Sequence, residues 1–251
     1  MNNKWITHSW WKWLCIALIL LALVAGMLAG VPRREILNET IRNLYYHVTQ
    51  WFAMMLLITI AFVQSIQILL VQRKAAAQLI SNEAAKKIIE DKELITYSLL
   101  CSAFFLGIIG LLTGSLWAKF TWGSYWTPDP KLNGVAVGMF LYWAYFILRN
   151  SIQQDTRSRA VTTAVYHIFA YIMFMLLIML MPRVMESLHP GNGDNPAFSK
   201  YDMDSQMRVI FYPAVIGFTL LGLWISTLLY RYYKLENDMD KQQNNISDPL
   251  I

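Results

Sequence analysis

Six stretches of this chain carry no Asp, Glu, Lys or Arg, at residues 14–31, 46–71, 94–116, 132–148, 161–181 and 209–230. A hydrocarbon layer ~30 Å thick takes about 20 apolar residues per helical crossing, and every backbone polar group inside it must be satisfied within the protein. Runs of this length predict an all-α polytopic membrane protein with six transmembrane helices. The balance of 56% hydrophobic to 15% charged residues agrees.

The basic residues orient the bundle. With the amino terminus inside, the inner segments hold 13 of the 21 Lys and Arg and the outer segments eight, which favours cytoplasmic amino and carboxyl termini. The net charge of +5 is scattered between hydrophobic runs and forms no stripe, so no nucleic-acid partner is expected. The first run, 18 residues long behind Lys4 and Lys12, reads as a retained span and not as a secretory signal. Cys15 and Cys101 both fall inside runs, as packing residues do.

Residues 1–235 are expected to form the six-helix domain and 236–251 a polar, mobile cytoplasmic tail. The inner loop 72–93 mixes charges with good helix formers, and so should extend the second and third helices. Short outer connections predict that helices 1 and 2, 3 and 4, and 5 and 6 are antiparallel neighbours. The outer segments 32–45, 117–131 and 182–208 would then share one external pocket.

Several function classes lose support. The six runs hold no charged residue to bind a coupling ion, and their one titratable core candidate, His167, reads as packing. No phosphate-cradling GxxxxGK loop is present, and none of His8, His47, His167 and His189 opens an HExxH zinc motif.

The densest feature lies between helices 3 and 4, in an external tryptophan-rich segment at residues 117–133. Trp117, Phe120, Trp122, Tyr125 and Trp126 fall within ten positions, followed by Pro128, Asp129, Pro130, Lys131 and Asn133. Gly123, Pro128 and Pro130 argue against one continuous helix and for a shaped loop. Two readings stand: an interfacial aromatic belt, stronger for Trp117 and Phe120, or a platform for a flat ligand, stronger for Trp122, Tyr125 and Trp126. On the same side fall His47, at the start of helix 2, and His189, just past the end of helix 5. Two histidines without nearby Cys make an incomplete zinc site, but they can fill both axial positions of a heme iron. Arg42, Lys119, Lys131 and Arg183 are cations available for its propionates. No CxxCH is present, so covalent attachment to this chain is not expected.

At Tyr46, His47 and Val48, at the run from Trp122 through Trp126 and Asp129 to Lys131, and at Leu188 and His189, the sequence resembles the CcmC-type heme-handling proteins of cytochrome c maturation. These belong to a wider heme-handling group with CcmF and CcsA, and the resemblance covers most of the chain. It implies that His47 and His189 are axial ligands, that Trp122, Trp126 and Asp129 help hold heme b non-covalently, and that heme is transient cargo. It implies a site facing the periplasm from a bacterial inner membrane. The partners implied are a membrane-tethered CcmE-like chaperone, a small CcmD-like subunit and CcmA- and CcmB-like ABC-transporter subunits. Thr49 and Pro128 depart from the family pattern, which often has proline and an aromatic there. The reading is a non-enzymatic heme handler. The competing classes are a cytochrome c heme lyase component, which would join heme vinyl groups to thiols, and a permease subunit for another solute.

Overall fold

The computed structural model describes residues 8–33, 37–152, 156–189 and 203–247, and all regular structure within them is helical. Helix α1 spans Trp10–Leu28, and a 3-10 segment, Asn38–Tyr45, leads into α2, His47–Ala76. Helix α3 spans Asn82–Trp122 and α4 Pro130–Ser151. Helix α5 runs over Thr156–Val184 and α6 over Ser205–Ser247. Six of these helical stretches are long and apolar enough to cross a membrane. Arg42 reaches the carbonyl of Gly26 near the end of α1, and the start of α6 packs on Ile41, Leu44 and Tyr45. The start of α1 and the end of α6 therefore lie at the end of the bundle opposite His47.

The packing partners are not the expected hairpins. Helix α1 lies on α6, and α3 and α4 barely touch, whereas α2 and α3 pack along their length and α2 also contacts α5 and α6. The reason is the backbone approach that small residues allow where no water drives helices together. Along α2, Ala53, Leu57, Ala61, Ser65 and Ile68 recur at three- and four-residue steps and are buried. Ala53, Leu57 and Ala61 meet Leu99, Leu100, Ala103 and Leu106 of α3 and Phe174 of α5 in one core, and Ile68 packs in a second cluster with Ile89, Ala160 and Ala164. Bulky side chains such as Leu112, Leu116, Phe140 and Ile147 face outward.

Two helices run further than the sequence suggested. Helix α3 continues through Trp117 to Trp122, because nothing before Gly123 breaks it. Gly123 ends it in the left-handed region at φ 79°, a conformation that favours glycine. The shaped loop is thus confined to residues 123–129. Helix α6 continues past Tyr230 to Ser247, since Leu235, Glu236 and Met239 favour helix and no Gly or Pro intervenes. Near its far end α5 widens into a π turn over Leu176–Leu180, just ahead of Pro182. Proline lacks the N–H that a regular turn would use and its ring crowds the preceding turn, which the wider winding accommodates.

At the end away from the histidines, charge closes the bundle. The Glu93 carboxylate, 1% exposed, accepts from Arg149 Nε at 2.7 Å and lies 3.6 Å from Arg159 Nε, joining α3, α4 and α5. Arg149 also stacks on Tyr97 at 3.5 Å. Lys92 donates to Gln64 at 3.1 Å and to Gln67, and Tyr230 donates to Asp91, so α2 and α6 are tied to the same place.

Candidate functional site

His47 opens α2 where the 3-10 segment ends. Thr49, standing where a proline is common in the resembled family, donates its hydroxyl to Tyr45 O at 2.6 Å and secures the junction. The His47 ring lies on α3, where Gly110, Thr113, Gly114 and Trp117 share one face. Its Nδ1 donates to Gly110 O at 2.9 Å. Trp51 and Trp117 meet it edge-on, at centroid distances of 6.3 and 5.9 Å. Trp117 is fixed in turn by its Nε1–H on Thr40 Oγ1 at 3.1 Å. It is therefore a wall of the His47 niche.

His189 is positioned by Asp129. That carboxylate caps α4, accepting from the N–H groups of Lys131 at 2.9 Å and Leu132 at 3.2 Å. It also accepts from Ser187 Oγ at 2.8 Å and Leu188 N at 2.7 Å, which pins the chain leaving α5. His189 Nδ1 donates to the same carboxylate at 3.0 Å, and Trp122 meets the ring edge-on at 5.0 Å. Burial alone would raise the proton affinity of Asp129. Hydrogen bonds from His189, Leu188 and Ser187 outweigh it and hold the group ionised below the usual carboxylate range. For His189, burial lowers the pKa and nearby Lys131 adds to that, while Asp129 opposes without reversing it.

A carbonyl and a carboxylate can only accept, so both imidazoles carry their proton on Nδ1 and keep the lone pair on Nε2. Among the described residues no hydrogen bond reaches either Nε2. Trp117 and Trp122, five residues apart near the end of α3, meet one imidazole each, which places both rings at the same end of the bundle. Arg183 donates to Met179 O near the end of α5.

The other candidate residues are placed differently. Arg42 is engaged by Glu39 at 2.8 Å and by the carbonyls of Gly26 and Ala29, where it caps the end of α1. Lys119 donates to Gly123 O at 2.8 Å and sits over Tyr125, so it closes the loop. Trp126, its Nε1–H on Asn133 at 3.2 Å, lines an apolar cleft of about 440 Å³ between α3 and α4 with Phe140 and Trp143. His167 is fully buried on Ser65 at 3.0 Å, in the core. Sequence reasoning missed Gly110, Gly114 and Ser187, which position the two histidines without any motif of their own.

Among the described residues no cluster of three or more His, Cys, Asp or Glu could hold a bare metal ion. Two lone pairs flanked by indoles suit a metal whose other ligands come from a flat macrocycle. Fold and site together define a polytopic helical membrane protein with a paired-imidazole site at one end. The sequence matches the family described as heme exporter protein C, CcmC, over residues 2–245, and the chain belongs to that family of cytochrome c biogenesis. Its relatives include the cytochrome c biogenesis protein CcsA of Lobularia maritima, 31% identical over 91 residues, or 36% of this chain and 26% of that protein. The CcsA of Spinacia oleracea is 29% identical over 105 residues, covering 42% of this chain and 30% of its own length. The chain thus spans less than a third of these relatives.

Proposed function

We propose that this chain binds heme b non-covalently at the periplasmic face of a bacterial inner membrane and presents it to a membrane-tethered, CcmE-like heme chaperone. It acts without bond-making chemistry of its own, beside CcmA- and CcmB-like ABC-transporter subunits and a small CcmD-like subunit. The observation that carries the reading is the matched tautomer: two imidazoles at the same end of the bundle, each held at Nδ1 by an acceptor and each leaving Nε2 open.

A heme iron has two axial positions once the macrocycle has supplied its four nitrogens. His47 and His189 supply the two lone pairs, and Asp129 and the Gly110 carbonyl keep the donor tautomer and strengthen each ring as a ligand. Trp117 and Trp122 keep water from the ring edges. Lys131 and Arg183 offer charge to the propionates. The excess of Lys and Arg at the opposite end supports this side of the membrane.

Protein purified from heme-replete cells should show a six-coordinate, low-spin heme spectrum. His47→Ala and His189→Ala should each give a five-coordinate spectrum and fail to load the chaperone. Wild-type protein without heme, or unchanged spectra in both variants, would overturn the assignment.

A further inference from the structure

On α3 the glycines at 110 and 114 have the small-xxx-small spacing that lets two membrane helices bring their backbones close. Here the space is filled by rings. A Cβ at Gly114 would lie 2.3 Å from His47 Cε1, 2.9 Å from Nδ1 and 3.1 Å from Nε2. A Cβ at Gly110 would lie 2.8 Å from Trp51 Cε2, in the ring that stands edge-on to His47. One turn further along, a Cβ at Gly107 would meet Met54 Sδ at 2.7 Å and Met139 Sδ at 2.8 Å.

The three positions look equally crowded, but what must yield differs. Methionine has three rotatable bonds and a soft thioether, so it moves aside from Gly107 at little cost. The His47 ring has no such freedom. Its Nδ1 is bonded to Gly110 O at 2.9 Å, and Trp51 and Trp117 close two of its edges. It can clear a methyl at position 114 only by leaving the Gly110 carbonyl, and that contact fixes its tautomer and aim.

We infer that Gly110 and Gly114 form a seat for the His47 imidazole, with Gly114 a positioning residue for iron ligation. This rests on the reading of His47 as an axial ligand, but the seat itself can be tested without heme. In heme-free protein, diethyl pyrocarbonate should modify His47 several-fold faster in Gly114→Ala than in wild type, as read by mass spectrometry, with Gly107→Ala unchanged. In heme-loaded protein, Gly114→Ala should lose six-coordination as His47→Ala does, and added imidazole should restore it in both, while Gly107→Ala keeps the wild-type spectrum. Should Gly114→Ala not fold, Gly110→Ala carries the same test through Trp51. Unchanged modification and an unchanged spectrum in the folded glycine variant would overturn the seat. Faster modification in a protein that never takes up heme would uphold the seat and sink the heme reading.

Discussion

At the Glu93 end of the bundle, charges find one another: one buried carboxylate holds Arg149 and approaches Arg159, and five of the six helices are joined there by side-chain bonds. At the histidine end the one buried acidic side chain among the described residues, Asp129, is surrounded by backbone N–H groups, a serine and an imidazole, and indoles stand against both rings. The first arrangement fixes helices to each other, because a buried ion pair costs too much to break. The second fixes two rings and leaves their outer nitrogens open. Rigidity and reactivity are thus separated along the membrane normal.

Glu93→Ala should have the largest effect, since it strands two arginines in a poorly solvated place. A cost of roughly 3–5 kcal/mol is expected, measured as thermal unfolding in detergent. The heme spectrum of the protein that stays folded should be unaltered; a changed spectrum would show that the two ends are coupled. Asp129→Asn comes next. Asparagine caps a helix about as well as aspartate, so α4 should keep its start, while the loss of charge behind His189 should weaken heme binding ~10–100-fold in titration.

Acid should act on the histidine end through His189. The His189 pKa is depressed on folding, so between that value and the ordinary value of about 6.5 the unfolded chain binds more protons and falling pH destabilises the fold. The neutral ligand form is complete above about 6.5 and is lost as pH falls through the depressed value. In the His47→Ala background, where one ligand remains, heme release should have its midpoint below pH ~6.5; a midpoint above that would contradict the burial described for His189. The smallest effect is expected for Lys234→Ala. Its contact with Asp91 is 4.0 Å long and half exposed, so a change of under about 1 kcal/mol should be measured.

The six crossings were legible because charge-free runs of that length have one physical use. Their pairing was not, since in a lipid-facing helix the apolar side chain outside resembles the one inside, and only small residues such as Ala53 and Ala61 mark the contact. His47, His189 and Asp129 could be picked out as polar residues at predicted helix ends. Arg42 misled because its acceptors are backbone carbonyls of α1, which no side-chain pattern reveals. Glu93 sits one residue outside a charge-free run, at the end of the mixed-charge segment 72–93 where nothing sets it apart, and its partners Arg149 and Arg159 come from other helices. Gly114 was illegible for a simpler reason: its role is the room it leaves.

The wide turn at Leu176–Leu180 bears on which changes of length this gene could tolerate. That turn holds one residue more than regular winding uses. Deleting one residue there would restore ordinary winding and leave Ser187, Leu188 and His189 facing Asp129, whereas deleting one from the regular turns ahead of it would swing all three away by about 100°, with every one of them still encoded. The same loss of one codon is therefore absorbed inside the wide turn and separates the halves of the site when it falls before it.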